Sequence, residues 1–142
     1  MTLVGVIFAR GGSKGISNKN LQLVAGKPLV TRAIETAQAI AGIDRLIVST
    51  DSHEIAALSL AAGAEVPFIR PAHLASDASP EWLSWRHALS FLKETEGVRP
   101  EAMVSLPTTS PLRLASDVEA CITAYQQGSW DAIVTVTQAQ RS

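Results

Sequence analysis

Short runs of apolar residues alternate along the chain with longer segments in which apolar positions recur at helical spacing. The short runs are rich in Val and Ile, which favours strands buried on both faces of a sheet. Five strands are predicted, at 3–9 (LVGVIFA), 45–50, 66–69, 102–106 and 131–137. Strands that alternate with helices imply parallel pairing through crossovers that leave helices on both faces. The pattern therefore predicts a three-layer α/β domain with a mostly parallel sheet.

Residues typical of a helix N-terminus mark the beginning of two of the predicted helices. Asp51 and Glu54 have the spacing of a capping box at the beginning of a helix over 52–62. Ser79 and Pro80 resemble an N-cap residue followed by proline in the first turn of the next helix. Both helices then follow predicted strands, as the alternating pattern requires.

The segment 9–20 (ARGGSKGISNKN) directly follows the first predicted strand and combines three glycines with three basic side chains. Ligands of parallel sheets bind beyond the carboxyl ends of the strands. Glycines let backbone N–H groups approach an anion, and Arg10, Lys14 and Lys19 supply positive charge for a polyphosphate. The segment matches neither the Walker-type phosphate loop nor the dinucleotide-binding glycine pattern. A surface loop with solvated charges is the alternative to a phosphate site.

Composition limits the classes of function that the chain can serve. Its 142 residues suit one domain, and 46% of them are hydrophobic, enough for a packed core. Twelve basic against thirteen acidic side chains give a net charge of −1, which argues against a large nucleic-acid footprint. One cysteine excludes an internal disulfide framework, and no apolar run approaches the ~20 residues of a membrane span. With no secretory signal visible after Met1, we expect a cytoplasmic protein with no membrane or nucleic-acid partner.

Several short motifs occur in a fixed order along the chain. The segment 9–20 is followed by GKPL (26–29), VSTD (48–51), FIRPA (68–72), LASD (74–77) and TSPLR (109–113). In this combination they resemble the cytidylyltransferases that activate sialic acids and related nonulosonic acids. The combination is far more specific than any single motif.

The resemblance implies a Rossmann-like nucleotidyltransferase fold and a reaction in which CTP and a nonulosonic acid give the CMP-sugar and pyrophosphate. Arg10 and Lys19 are the implied catalytic residues, acting as electrostatic stabilisers of charge on the phosphates. The implied nucleotide-binding residues are Ala9, Arg10, Gly11, Gly12, Ser13, Lys19, Asn20, Arg70, Ser79 and Thr109. Arg113 is a weaker candidate, either for binding the sugar or for pairing with a carboxylate at the rim of the sheet.

The same resemblance implies features that lie outside the chain. Residues 1–142 correspond to the nucleotide-binding part of such enzymes, whereas their sugar-binding, metal-binding and dimerisation part lies further along the sequence. Mg²⁺ and a homodimer are therefore expected from the resemblance alone. No Asp-x-Asp pair occurs in these residues, so no metal ligand is assigned.

The chain also departs from the family pattern. Ser17 stands where a proline is usual, and Pro107 stands where the family has a glutamine that contacts the nucleotide. Thr108 or Thr109 would have to replace that contact. Ser79 has two interpretations, a nucleotide contact or the N-cap of the following helix.

Other residues have a structural explanation beside a functional one. Asp51 and Asp77 lie at the expected rim, where a metal or ribose ligand would fit, but capping and loop architecture explain them as well. Trp82 and Trp85 are spaced for core packing on a helix rather than for stacking on a base. Cys121 is predicted to be a buried small apolar residue.

Two other functional classes fit the same residues. One is a nucleotidyltransferase for another sugar, such as 3-deoxy-octulosonate. The other is a non-catalytic CTP-binding module. A structural α/β domain without a ligand is the third alternative.

Overall fold

The computed structural model of the protein describes residues 2–139. These residues form five strands, four α-helices and two 3-10 turns, the turns at Lys19–Leu21 and Ala72–Leu74. In chain order the elements are β1 (Leu3–Phe8), β2 (Leu23–Val24), β3 (Lys27–Pro28), α1 (Leu29–Gln38), β4 (Arg45–Ser49), α2 (His53–Ala61), α3 (Glu81–Thr95), β5 (Ala102–Ser105) and α4 (Ala115–Gln127). No helix in this range is long and apolar enough to cross a bilayer.

The central strand β1 pairs in parallel with β4 on one side and with β5 on the other. Gly5 lies opposite Leu46 in one pairing and opposite Val104 in the other, which sets the register of the three strands. Parallel neighbours need crossover connections, and here helices supply them. The carboxyl ends of β1, β4 and β5 therefore lie along one edge of the sheet.

Side chains of β1 alternate between two hydrophobic clusters, one on each face of the sheet. Leu3 and Ile7 pack with the buried residues of α1, α2 and α4, among them Ile34, Ile55 and Ile122. Val4 and Val6 face the other way and pack with Ile47 and with Leu92 of α3. Helices thus cover both faces of a parallel sheet, which confirms the predicted three-layer α/β fold.

The strand predicted at 66–69 is wrong. Among the described residues a single parallel bridge forms here, between Ile47 and Glu65, one residue before the predicted strand. Pro67 has no N–H to donate to a neighbouring strand, so the segment runs beside β4 without continuous pairing. The next backbone bond comes from the N–H of Arg70, which donates at 2.8 Å to the oxygen of Thr50, just after β4.

The strand predicted at 131–137 is also absent from the described part of the chain. The segment pairs with no strand, and Val134 and Val136 are 76% and 88% exposed. Its alternating apolar residues are typical of a strand, but backbone pairing with a neighbour is a separate requirement. The segment lines the same groove as β5, whose outer edge stays unpaired.

Three side chains predicted for the core are more exposed than their spacing indicates. Trp82 and Trp85 are 50% and 37% exposed, and Cys121 of α4 is half-buried. The buried face of α3 carries Ser84, Ala88 and Leu92 instead, and Leu92 packs on the sheet. Two of these three residues are small, so the helix lies close to its neighbours, whereas tryptophan rings on that face would hold it away.

Candidate active site

The loop after β1 is fastened to the rest of the molecule by its backbone. The N–H of Gly11 donates to Asp51 Oδ1 at 2.8 Å, and the Asn20 amide donates to the oxygen of Arg10 at 2.9 Å. A Cβ added to Gly11 would lie 3.0 Å from that of Ser52, so a larger residue here would require Ser52 to shift where the loop passes the end of β4. The loop is thus held in a defined conformation.

Asp51 holds this loop rather than capping α2. The N-cap of α2 is Ser52, whose hydroxyl accepts from the N–H of Ile55 at 3.2 Å. The predicted capping box of Asp51 with Glu54 is therefore wrong, because the Asp51 carboxylate reaches across to Gly11. Asp51 nonetheless has a structural role, because it holds the loop through Gly11.

The hydroxyl of Ser13 closes the same loop on itself. Its Oγ accepts from the N–H of Lys19 at 3.0 Å and donates to the oxygen of Ile16 at 2.6 Å. Asn18 then adopts a left-handed conformation, with φ 49°, immediately before the 3-10 turn Lys19–Leu21. This arrangement returns the chain to the sheet edge, so that Lys19 and Arg10 lie on the same side of the loop.

A cavity of about 450 Å³ opens at the carboxyl ends of the strands, beside this loop. Six of the predicted site residues line it: Arg10, Lys19, Asn20, Arg70, Ser79 and Thr109. Ala9, Gly11, Gly12, Ser13 and Arg113 do not line it. Phe8, the last residue of β1, contributes an apolar wall that the sequence analysis did not single out.

Arg70 is a buried cation at the back of the cavity, with 6% of its surface exposed. One terminal nitrogen donates to Ser84 Oγ at 2.9 Å and the other to the oxygen of Ser49 at 3.3 Å. Burial lowers the pKa of Arg70, the charge of Asp51 acts against that shift, and the charge of Arg10 adds to it. An arginine stays protonated in proteins despite such a shift. Arg70 therefore presents a fixed positive charge toward the cavity.

Arg10 forms an ion pair with Asp77, with Nη1 and Oδ1 2.5 Å apart. Both side chains are partly exposed and both line the cavity. From the sequence, loop architecture was the predicted role of Asp77, with no contact to Arg10. Nothing in the local sequence indicates this contact, because the two residues lie on loops after different elements.

Ser79 and Arg113 make contacts that their sequence positions do not show. The Ser79 hydroxyl donates to the oxygen of His73 at 2.6 Å, whereas the residue before α3 is Pro80, with no side-chain cap. The N-cap interpretation of Ser79 is therefore wrong. Arg113 donates to the oxygen of Pro107 at 2.7 Å, and burial lowers its pKa. Its side chain lies on a separate apolar groove beside β5.

Thr108 lies after β5 and contacts the loop from the opposite side to Asp51. Its hydroxyl donates to Asn20 Oδ1 at 2.6 Å, and both side chains are buried. Thr108 directly follows Pro107, the residue that departs from the family motif. That departure was the one feature of the sequence that drew attention to Thr108, although it did not indicate the contact with Asn20.

Carboxylates near the cavity do not form a metal site. Within residues 2–139, no three His, Cys, Asp or Glu side chains come together as a group that could hold an ion. Asp77 is paired with Arg10, and Asp51 accepts from Gly11. The described residues therefore do not fit a resident Mg²⁺.

The charges around the cavity suit a polyphosphate. Arg10, Lys19 and Arg70 contribute three cations, and Asp77 and Glu81 contribute two carboxylates. Asp77 is already paired with Arg10, so a bound phosphate would replace the Asp77 carboxylate as the anionic partner of that guanidinium. Charge-assisted hydrogen bonds to phosphate oxygens are strong, and arginine makes them in a forked geometry.

A family profile described as "Cytidylyltransferase" matches residues 4–138. The chain belongs to the cytidylyltransferase family. Its relatives include post-translational flagellin modification protein B of Campylobacter coli, 34% identical over 96% of this chain and 58% of that protein. The N-acylneuraminate cytidylyltransferase of Escherichia coli is 31% identical over 98% of this chain and 32% of its own length. The CMP-N,N'-diacetyllegionaminic acid synthase of Legionella pneumophila is 33% identical over 89% of this chain and 54% of its own.

The cytidylyltransferase chain thus spans between 32% and 58% of the length of these relatives. Solved structures share its fold. A CMP:2-keto-3-deoxy-manno-octonic acid synthetase complexed with CTP aligns with a TM-score of 0.75 at 22% identity, over 89% of this chain and 48% of that one. Rv0371c of Mycobacterium tuberculosis, in complex with manganese, aligns with a TM-score of 0.59 at 20% identity, over 89% of this chain and 61% of that one. The nucleotidyltransferase type of α/β fold is therefore confirmed.

Proposed function

We propose that the chain forms the nucleotide-binding part of an enzyme that transfers CMP from CTP to a nonulosonic acid. The observation that carries this proposal is the convergence of Arg10, Lys19 and Arg70 on one cavity at the carboxyl ends of parallel strands. The names of the Escherichia coli and Legionella pneumophila relatives, which specify N-acylneuraminate and a legionaminic acid, support the acceptor class.

In the proposed reaction, a hydroxyl oxygen of the sugar attacks the α-phosphorus of CTP. A bond forms between that oxygen and the phosphorus, and the bond from the phosphorus to the bridging oxygen breaks. Pyrophosphate leaves with the electron pair, and the hydroxyl proton passes to water. Negative charge grows on the leaving group, so Arg10 and Lys19 act by positioning and by charge stabilisation.

The other predicted residues have distinct roles in this proposal. Of the loop residues 9–13 only Arg10 lines the cavity, so the phosphates would extend from the cavity toward the backbone of this loop, which wraps them. Asn20 and Arg70 complete the phosphate and ribose contacts. Ser79 and Thr109, which also line the cavity, contact the remainder of the nucleotide. Arg113 lies outside the cavity and stays a candidate for the sugar side only.

We propose Mg²⁺ as the divalent cation, carried mainly by the phosphate oxygens of CTP, as is usual for this ion. The manganese of Rv0371c supports a divalent cation in a protein of this fold. A homodimer is proposed from the family resemblance. A cytoplasmic location is proposed because the reaction consumes CTP.

Pyrophosphate release from CTP tests the proposal. The chain is assayed with Mg²⁺ and a panel of sialic, legionaminic and pseudaminic acids, and CMP-sugar formation is followed by mass spectrometry. We expect Arg10→Ala and Lys19→Ala to lower turnover by about 10²–10³, the effect of removing one transition-state charge partner. Lys93→Ala, which removes an exposed cation from the last turn of α3, is the matched control and leaves turnover unchanged.

Two outcomes would replace this proposal. CTP binding without product from any sugar, in a longer form of the protein that includes a sugar-binding part, would favour a non-catalytic CTP-binding module. Product from 3-deoxy-octulosonic acid alone would favour the second candidate acceptor, for which the structural likeness to the octonic acid synthetase is the supporting observation. Full turnover in the folded Arg10→Ala variant would contradict the roles assigned here.

A further inference from the structure

A buried chain of side-chain hydrogen bonds links the loop after β5 to the loop after β1. The Thr108 hydroxyl donates to Asn20 Oδ1 at 2.6 Å, and Asn20 Nδ2 donates to the oxygen of Arg10 at 2.9 Å. Thr108 is 4% exposed and Asn20 is 3% exposed. Water therefore does not compete for these groups, and the loss of one partner leaves the other unsatisfied.

Both ends of the Asn20 amide are held by partners within the protein. The Arg10 oxygen can only accept, so the amide presents Nδ2 to it and leaves Oδ1 facing Thr108. Oδ1 can only accept in its turn, and the Thr108 hydroxyl supplies the donor. Without that hydroxyl, Oδ1 would stay buried and unsatisfied, and flipping the amide would only set Oδ1 against the Arg10 oxygen. Thr108 therefore stabilises the orientation of Asn20 that holds the loop.

This chain of bonds complements the contact from the other flank of the loop. Asp51, after β4, holds the N–H of Gly11, whereas Thr108 acts through Asn20 on the carbonyl of Arg10. The residues that follow β4 and β5, the two strands beside β1, therefore fix both polar groups of the peptide unit between Arg10 and Gly11. A fixed peptide unit sets the position from which the Arg10 side chain enters the cavity.

We infer that Thr108 is a positioning residue, which holds the phosphate-binding loop through Asn20. This inference deepens the proposed function and rests on it for the identity of the nucleotide. The fastening of the loop is a property of the chain without any ligand. The two parts can therefore be tested separately.

The test uses Thr108→Val, which keeps the shape and removes the hydroxyl, with Thr108→Ser as the matched variant that keeps it. Hydrogen exchange of residues 10–20 is measured without nucleotide, and CTP binding is measured by calorimetry. We expect Thr108→Val to speed exchange in that segment about tenfold and to raise the Kd for CTP about tenfold, as for the loss of one buried hydrogen bond. Thr108→Ser should restore both values to near those of the wild type.

A double variant shows whether Thr108 acts through Asn20. In an Asn20→Ala background, Thr108→Val should add no further change in exchange, because the chain of bonds is already broken. Additive effects would overturn the inference. The inference would also be overturned if Thr108→Val exchanged as the wild type does, or if its faster exchange were spread evenly over the whole chain. The same would follow if Thr108→Ser lost protection and CTP affinity as much as Thr108→Val does. If the wild type binds no CTP, the proposed function fails, whereas the exchange measurements still decide the role of Thr108.

Discussion

His87 shows how the environment of one side chain sets its chemistry. It lies on α3, half-buried, with its ring edge-on to Phe68 at a centroid distance of 4.7 Å. Its buried Nδ1 has no hydrogen-bond partner among the described residues. Burial lowers the pKa of His87, and the charges of Arg70 and His73 lower it further. The spacing of the sequence indicates only that His87 lies on a helix, since burial depends on segments distant in sequence.

The lowered pKa predicts a pH dependence of stability. The folded state keeps His87 neutral, so the unfolded state takes up the proton first as pH falls below the ordinary value of 6.5. Stability is therefore level above that pH and decreases below it. Glu65, whose pKa the hydrogen bond to Arg45 lowers, contributes its own loss only below about pH 4.5.

Urea unfolding between pH 5 and pH 8 measures this effect, with His87→Phe as the comparison, because phenylalanine keeps the ring against Phe68. As pH falls below about 6.5, the free energy of unfolding should decrease more for the wild type than for His87→Phe. Parallel curves for the two proteins over this range would show that His87 does not titrate as described.

At the scale of elements, local patterns predict the three strands of the parallel sheet and fail at two runs that remain unpaired. β1, β4 and β5 lie within one residue of the predicted runs at each end. The runs at 66–69 and 131–137 are equally apolar, but Pro67 interrupts the first and no neighbouring strand pairs with the second. Pairing is a tertiary property, which no local pattern contains.

The register of α3 gives a direct test at this scale. Leu92 is fully buried against Val4, Val6 and Ile47, whereas Trp82 is half-exposed with Arg86 over its ring. Leu92→Ala should lower the free energy of unfolding by about 2–5 kcal/mol, the cost of a large-to-small change in a core. Trp82→Ala should cost less than about 1 kcal/mol, as at exposed sites. Chemical denaturation of both variants checks this. A larger loss for Trp82→Ala would favour the register with the tryptophans in the core.

At the scale of the whole molecule, the parallel sheet gathers loops from three strands around one cavity. Two basic residues of that cavity, Arg10 and Lys19, were predictable from the glycine-rich segment, because they lie close together in the sequence. Arg70 was indicated only by the family resemblance. The groups that hold the loop after β1 were not predictable, since Asp51 lies 40 residues from Gly11 and Thr108 lies 88 residues from Asn20. The chain contains the cavity and its cations but spans only 32% to 58% of the length of the named relatives. Nucleotide binding is therefore the proposed property that can be measured most directly on this chain.

Calorimetric titration of CTP into the folded chain, with Mg²⁺ present, measures that property. The account predicts saturable binding at one site per chain, weakened at least about tenfold in Arg10→Ala, as for a lost charge-assisted hydrogen bond. Lys93→Ala, with its exposed cation removed, should bind CTP as the wild type does. No binding by the folded wild type, or equal affinity in Arg10→Ala, would contradict the account.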